Sequence, residues 1–234
     1  WGKSIVSREP VLPMVISRFK NTLKLCGAGI AIAVGIGLPF GIYSALHRNT
    51  ISDLMLTVLA LAGISAPIFW LCLVLQVIFS VRLGWLPATG HGTISHLILP
   101  AVAVGTNCAG LIMRMTRSSM LEVIQQDYIR TARAKGCPGH RVVYRHALKN
   151  AMVPIVTVIG LQAAILMGGA VLTEAVFVWP GIGKLIVDSI FRRDYPMVQG
   201  AMLLTGSGFI LVNLLADMLA GLVDPRIRLE AGEK

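Results

Sequence analysis

The chain has 234 residues, 55% of them apolar and only 14% charged, with a net charge of +10 and a mean hydropathy of +0.75. No ordinary soluble domain has that composition, so the expected class is an all-α, polytopic membrane protein. The basic excess would suggest a nucleic-acid partner in a soluble chain, but here the positive residues sit in short loops beside apolar runs, where the positive-inside bias explains them without nucleic acid.

Residues 1–21 read as an outer-face lead-in, and residues 1–13 hold no apolar core of signal-peptide length. Stretches free of formal charge then run over 25–46, 54–81, 83–113, 150–173 and 195–216. About 20 residues at about 1.5 Å each cross a hydrocarbon layer roughly 30 Å thick, so each can span once. The third stretch opens with Gly84, Pro87, Gly90, His91, Gly92 and His96, which places its helix at 97–113. Five spans are expected, over about 25–46, 54–81, 97–113, 151–173 and 197–222, in a membrane unit of 22–229 with a tail of 230–234.

Loop charge sets the orientation. With 114–150 in the cytoplasm, twelve Lys and Arg lie inside against Arg82, Lys184, Arg192 and Arg193 outside. Lys3, Arg8, Arg18, Lys20 and Lys24 on the lead-in narrow that bias to twelve against nine. An odd number of spans puts Trp1 outside, and an earlier span is expected to carry the lead-in there.

Gly35, Gly37, Pro39, Gly41, Pro67, Gly160, Gly168 and Gly169 lie at membrane depth. Such breakers survive in lipid where neighbouring helices or a watery path satisfy the backbone, and close helix packing is the simpler of the two readings. Formal charge approaches the spans only near their ends, at Glu174 and Asp217. That argues against an ion-coupled carrier, and the absence of a titratable pair at one depth argues against a membrane enzyme. Asn107, Gln162 and Asn213 read as helix-to-helix hydrogen bonds before pathway residues. Cys26, Cys72, Cys108 and Cys137 stand singly and read as small buried hydrophobes.

The segment 114–150 carries Arg114, Arg117, Arg130, Arg133, Lys135, Arg141, Arg145 and Lys149 against only Glu122 and Asp127. Over 119–135, Leu121, Ile124, Tyr128 and Ala132 recur at spacings of three and four, which predicts one amphipathic helix. Gly136-Cys137-Pro138-Gly139 stops it, and a second helical stretch from about 140 to 150 leads into the next span. Periodicity alone allows three uses for this knob. It can lie on anionic headgroups at about 1 kcal/mol per cation, sit as a solvated loop, or fit a groove on a soluble partner.

Residue order separates them. Asp127-Tyr128-Ile129-Arg130-Thr131-Ala132-Arg133-Ala134-Lys135-Gly136, then Arg145-His146-Ala147-Leu148-Lys149-Asn150-Ala151 and Pro154, resembles the coupling loop of ABC importer permeases of the dipeptide, oligopeptide and nickel branch. The resemblance continues in 114–123, in Ser65-Ala66-Pro67-Ile68-Phe69-Trp70, Gly84-Trp85-Leu86-Pro87, Phe177-Val178-Trp179-Pro180-Gly181-Ile182-Gly183, Arg193-Asp194-Tyr195-Pro196 and Asp224-Pro225-Arg226-Ile227-Arg228. Against the broader permease pattern, Ala132, Gly136 and Leu148 fit, whereas Arg130, Thr131, His146 and Lys149 depart from it.

The resemblance implies a type I importer transmembrane fold in the bacterial inner membrane, six helices of which this chain holds the second to sixth, and no catalytic residue, cofactor or resident metal. It implies two ATP-binding subunits, a second permease and an extracytoplasmic binding protein as partners. In keeping with an ATPase elsewhere, no phosphate loop is present: Gly183-Lys184 is followed by Leu185, and Val178 stands where the first glycine belongs. By the same resemblance, Asp127, Tyr128, Arg130, Thr131, Ala132, Arg133, Ala134, Lys135 and Gly136 meet the ATPase. Trp179, Pro180, Gly181, Gly183, Arg193 and Asp194 meet the binding protein. Asp127 either pairs locally with Arg130 or Arg133 or bonds to the ATPase. Trp85 and Trp179 can equally anchor at headgroup depth. Peptide is the expected cargo, with nickel or another small solute as the alternative, since His91 and His96 alone are weak metal evidence.

Overall fold

The computed structural model describes residues 1–223; the closing motif at 224–228 and the 230–234 tail lie outside them. The first helix, α1 (Val11–Leu46), owes its start to two prolines. Pro10 takes the extended N-cap conformation, and Pro13 falls in the first turn, where a missing N–H breaks no intrahelical bond. Much of the lead-in expected at 1–21 is therefore helix. Arg18, Lys20 and Lys24 stand on a continuous rod of 36 residues, about 54 Å long and well beyond the thickness of a hydrocarbon core.

Next come α2 (Ile51–Ser65) and α3 (Ile68–Leu75), the latter continued by a π-helical stretch, Gln76–Arg82. The span expected over 54–81 is broken, its two halves meeting at 102°. Pro67 has no N–H to give the Gly63 carbonyl four residues back. Asn107 supplies the donor from the neighbouring helix, its Nδ2 lying 3.1 Å from that oxygen. The residue thus makes a helix-to-helix bond that also satisfies a carbonyl freed at membrane depth.

Helix α4 (Ile94–Ile124) runs past its apolar turns to carry Arg114 and Arg117, and α5 (Asp127–Ala134) follows. A short α6 (Gly139–Arg141) passes through π-helical Val142–Leu148 into α7 (Lys149–Met167). Two short helices, α8 (Val171–Val176) and α9 (Ile182–Phe191), precede α10 (Tyr195–Val223). Among the described residues, α1, α4, the 139–167 rod and α10 are long and apolar enough to cross a membrane, and the bent pair of 51–65 and 68–82 brings the number to five if it counts as one span.

The central seam joins α1 to α4. A Cβ at Gly37 would lie 2.8 Å from the Ala109 carbonyl, and one at Gly41 2.7 Å from that of Met113, so the two backbones touch in the manner of small-residue packing in lipid. Gly160 packs on Ala216 of α10 in the same way, whereas Gly35 faces open space. Cys26, Cys72 and Cys108 are buried and Cys137 is half-buried, all as free thiols.

Candidate functional site: a docking helix at one end and a knotted loop at the other

Helix α5 begins because Gln126 turns extended (φ −69°, ψ 148°), which ends α4 and restarts the helical phase. Asp127 sits in the first turn and Arg133 in the last, both favourable to the helix dipole. The far end closes in a Schellman motif. Gly136 takes φ +77°, its N–H donates to Arg133 O at 3.0 Å, and the Cys137 N–H donates to Ala132 O at 3.2 Å. The accompanying apolar contact is made by Ala132 and Cys137, both packed on the same core, and Pro138 prevents the helix from resuming.

Restarting the phase changes which side chain is the anchor. The single helix expected over 119–135 would bury Tyr128; instead Ile129 is fully buried, and Tyr128 is 43% exposed. Ile129 packs among Ile42, Met120, Val142, Ala147 and Ile155, tying α5 to the ends of α1, α4 and α7. Burying such a side chain stabilises by about 1.5–3 kcal/mol. Tyr128 Oη accepts from Asn150 Nδ2 at 3.0 Å, a second strap. Of the expected coupling residues, Asp127, Tyr128, Arg130, Thr131, Arg133, Ala134, Lys135 and Gly136 are exposed and Ala132 is half-buried. Asp127 reaches Arg130 only at 3.9 Å, with both side chains in the open, so local pairing does not occupy it. The result is a short rigid rod, seated on one apolar residue, with a basic outer surface.

At the opposite end, a knot centres on Glu174 of α8, which is fully buried. Its Oε1 accepts from Thr22 Oγ1 at 2.7 Å and its Oε2 from the Lys184 N–H at 2.9 Å. Thr22 Oγ1 in turn accepts from the Ile182 N–H at 2.8 Å. A carboxylate and a hydroxyl from distant segments thereby cap the N-terminus of α9, whose N-cap, Gly181, has no side chain to do so. Any Cβ on Gly181 would collide with Glu174 at 2.0 Å. Trp179 Nε1 donates to Asn21 O and Asn21 Nδ2 to Pro180 O, both at 3.1 Å, so the whole loop is laced onto α1.

That lacing sets how much of the expected outer contact set faces outward. Trp179, Pro180, Gly181, Gly183 and Asp194 are buried within the chain, and of the six expected contact residues only Arg193 is exposed. The buried five shape the loop, and its rim consists of Val178, Phe191, Arg192, Arg193 and Tyr195. Trp85, by contrast, is 68% exposed, as an interfacial anchor should be. Asp194 accepts from Ser4 Oγ and, at 3.1 Å, from the Ile5 N–H. Burial works against its charge, but these bonds and the N–H groups of Met197 and Val6 hold its carboxyl below the usual carboxylate range. Neither this knot nor the Ile129 anchor was visible in residue order, because each depends on partners brought in by the fold. His91 is exposed, and His96 Nδ1 lies 2.6 Å from Thr93 Oγ1.

Residues 37–229 match the model of the family described as binding-protein-dependent transport system inner membrane component. The chain belongs to this family. Its relatives include the di/tripeptide transport permease DppB of Pseudomonas aeruginosa, 45% identical over 97% of this chain and 76% of its own length. The dipeptide permease DppB of Escherichia coli K12 is 44% identical with the same coverage. The glutathione transport permease GsiC of Pectobacterium atrosepticum is 47% identical over 97% of this chain and 74% of its own. Among solved structures, an inward-facing MetNI methionine ABC transporter chain superposes with a TM-score of 0.76 at 19% identity, covering 92% of this chain and 98% of that one. An amino acid ABC transporter chain gives 0.62 at 16%, covering 92% and 94%. The fold is therefore that of a type I ABC importer transmembrane domain, and the chain is an inner-membrane permease subunit of the dipeptide type.

Proposed function

We propose that this permease subunit translocates di- or oligopeptides, driven by ATP hydrolysed on separate subunits that grip α5. The observation that supports this most is the seating of α5. One fully buried residue, Ile129, holds it, while Asp127, Arg130, Arg133 and Lys135 face outward beside a Schellman turn at Gly136. A rod built this way transmits displacement without deforming, and coupling of about 1–3 kcal/mol per site biases a two-state equilibrium usefully. Two ATP-binding subunits, a second permease and an extracytoplasmic binding protein complete the machine. On the outer face the exposed rim around Phe191, Arg193 and Tyr195 meets the binding protein, and the knot at Glu174 keeps that rim rigid. Peptide is the cargo favoured by the relatives, whose names specify dipeptide, di/tripeptide and glutathione transport.

Reconstitution tests the reading. Vesicles carrying the assembled transporter are expected to accumulate peptide only with ATP, the ATPase and the binding protein present. Uptake that persisted without the ATPase under an ion gradient would overturn it, as would failure of a cysteine at position 130 to crosslink to the ATPase.

A further inference from the structure

Helix α2 is fastened to α4 at two levels. At its first turn, buried Asp53 takes a bidentate grip from Arg117 of α4, with Nε to Oδ1 and Nη2 to Oδ2 both 2.8 Å. The same carboxylate accepts from Ser44 at the end of α1 and from the Asn49 N–H at 3.0 Å. Thr50 Oγ1 accepts the Asp53 N–H at 3.3 Å, capping the start of α2. A planar guanidinium fork fixes orientation as well as distance, which a lysine at 117 would not do. At the other end of α2, Asn107 of α4 holds the Gly63 carbonyl across the Pro67 break. Between these two points Gly110 lets α4 approach so closely that a Cβ there would meet Ala60 O at 2.6 Å.

Helix α3 also rests on α4, Cys72 clustering with Leu99 and Ala103, but through apolar contact, and its polar ties run to the loops. Gln76 Nε2 donates to Ala88 O at 2.8 Å and to Val176 O at 3.1 Å, and Cys72 packs with Phe177. Both halves of the bent pair thus touch α4, but α2 is locked to it by polar bonds at both ends, whereas the polar bonds of the second half go to the loops at the Glu174 end. Beside the break lies a cavity of about 300 Å³ bordered by Ile68, Val104, Asn107, Cys108, Gly169 and Thr173.

We propose that Arg117 and Asn107 are positioning residues for transport: through Asp53 and the Gly63 carbonyl they make α2 and α4 one lever, so that displacement entering at α5 is delivered as a bend at Pro67. The bend reshapes the cavity beside it. This inference rests on α5 being the ATPase contact.

The test uses the complete transporter in vesicles, with a mixture of di- and tripeptides followed by mass spectrometry. Arg117→Gln is expected to keep the ATPase bound and stimulated by the binding protein while peptide moved per ATP falls about tenfold, within the range of site-to-site coupling. Arg117→Lys, which keeps charge and loses the fork, is expected to recover part of the loss. Spin labels supply a readout that mere stabilisation would not move. In the parent, the distance between labels at Leu59 on α2 and Leu111 on α4 stays constant when ATP is added, while that between Leu59 and Leu73 on α3 changes. In Arg117→Gln the first distribution broadens. A Leu59-to-Leu111 distance that shifts with ATP in the parent, or an unaltered transport ratio in Arg117→Gln, overturns the lever while leaving ATPase docking in place. Loss of the crosslink from position 130 overturns both. Should Arg117→Gln fail to assemble, the parental label distances still decide.

Discussion

Glu174→Gln isolates the charge of the outer knot while keeping its shape. The glutamate accepts from Thr22 Oγ1 at 2.7 Å and from the Lys184 N–H at 2.9 Å, and no part of it reaches solvent. An amide keeps one acceptor oxygen and turns an NH₂ group toward the remaining donor. A hydrogen bond to a charged group contributes about 1.5–3 kcal/mol, and the carboxylate at the α9 N-terminus adds about 0.3–1 kcal/mol, but burial pushes the Glu174 carboxyl above its ordinary range and desolvation offsets part of this, so the loss should be about 2 kcal/mol. For a chain of this size that corresponds to roughly 4–8 °C in Tm, read by intrinsic tryptophan fluorescence during thermal unfolding in detergent. Thr22→Val removes both the donor to Glu174 and the acceptor for Ile182, so the two substitutions should be non-additive by about 1 kcal/mol or more. A Glu174→Gln protein melting within about 2 °C of the parent, or strict additivity with Thr22→Val, would show that the carboxylate does not hold the loop.

Ile129→Ala should cost about 2–5 kcal/mol locally, leaving insertion intact but freeing α5; fluorescence anisotropy of a probe at Arg133 should drop, and unchanged anisotropy would count against Ile129 as the seat. Gly136→Trp places a Cβ residue at φ +77°, costing about 1–2 kcal/mol, although no atom lies within 4 Å of that Cβ. The protein should therefore insert normally and lose ATP-driven uptake, whereas Gly136→Asn, tolerant of the left-handed region, should retain most of it. For Asp194, the folded-state carboxyl is depressed. Its anchoring of residues 4–5 is therefore complete above the ordinary carboxylate value of about 4 and fades as pH falls through the lower folded value. Protection of the amides of residues 4–7, measured relative to their intrinsic exchange rates, should fall as pH drops below about 4 in the parent, with no such step in Asp194→Asn.

Hydropathy revealed the spans because a lipid layer is a one-dimensional constraint, which any 20-residue apolar run satisfies locally. The basic segment was legible for a similar reason: eight cations between two such runs can face only water or a partner. Boundaries were less visible. Arg18, Lys20 and Lys24 mark where α1 leaves an apolar environment, but helices do not end where charge begins, and this one starts at Val11. Pro67 read only as a breaker at membrane depth, whereas the structure bends there by 102° and an asparagine 40 positions later bonds the freed carbonyl. Tyr128 looked like the inward residue only while α4 and α5 were read as one helix; the extended Gln126 rotates Ile129 inward. Thr22 and Glu174, 152 positions apart, leave no local signature at all. Within the outer loop, the burial of Trp179, Gly181 and Gly183 could not be read from their order either, since it depends on α1 and Glu174.

The four thiols have a practical consequence. Cys26, Cys72 and Cys108 are buried within the chain, and only Cys137, in the turn after α5, is half-open. Water-soluble maleimides should therefore find one slow natural target in this subunit. Replacing that sulfur alone should render the polypeptide nearly silent to such reagents, so that a cysteine introduced on any exposed helix would report without interference.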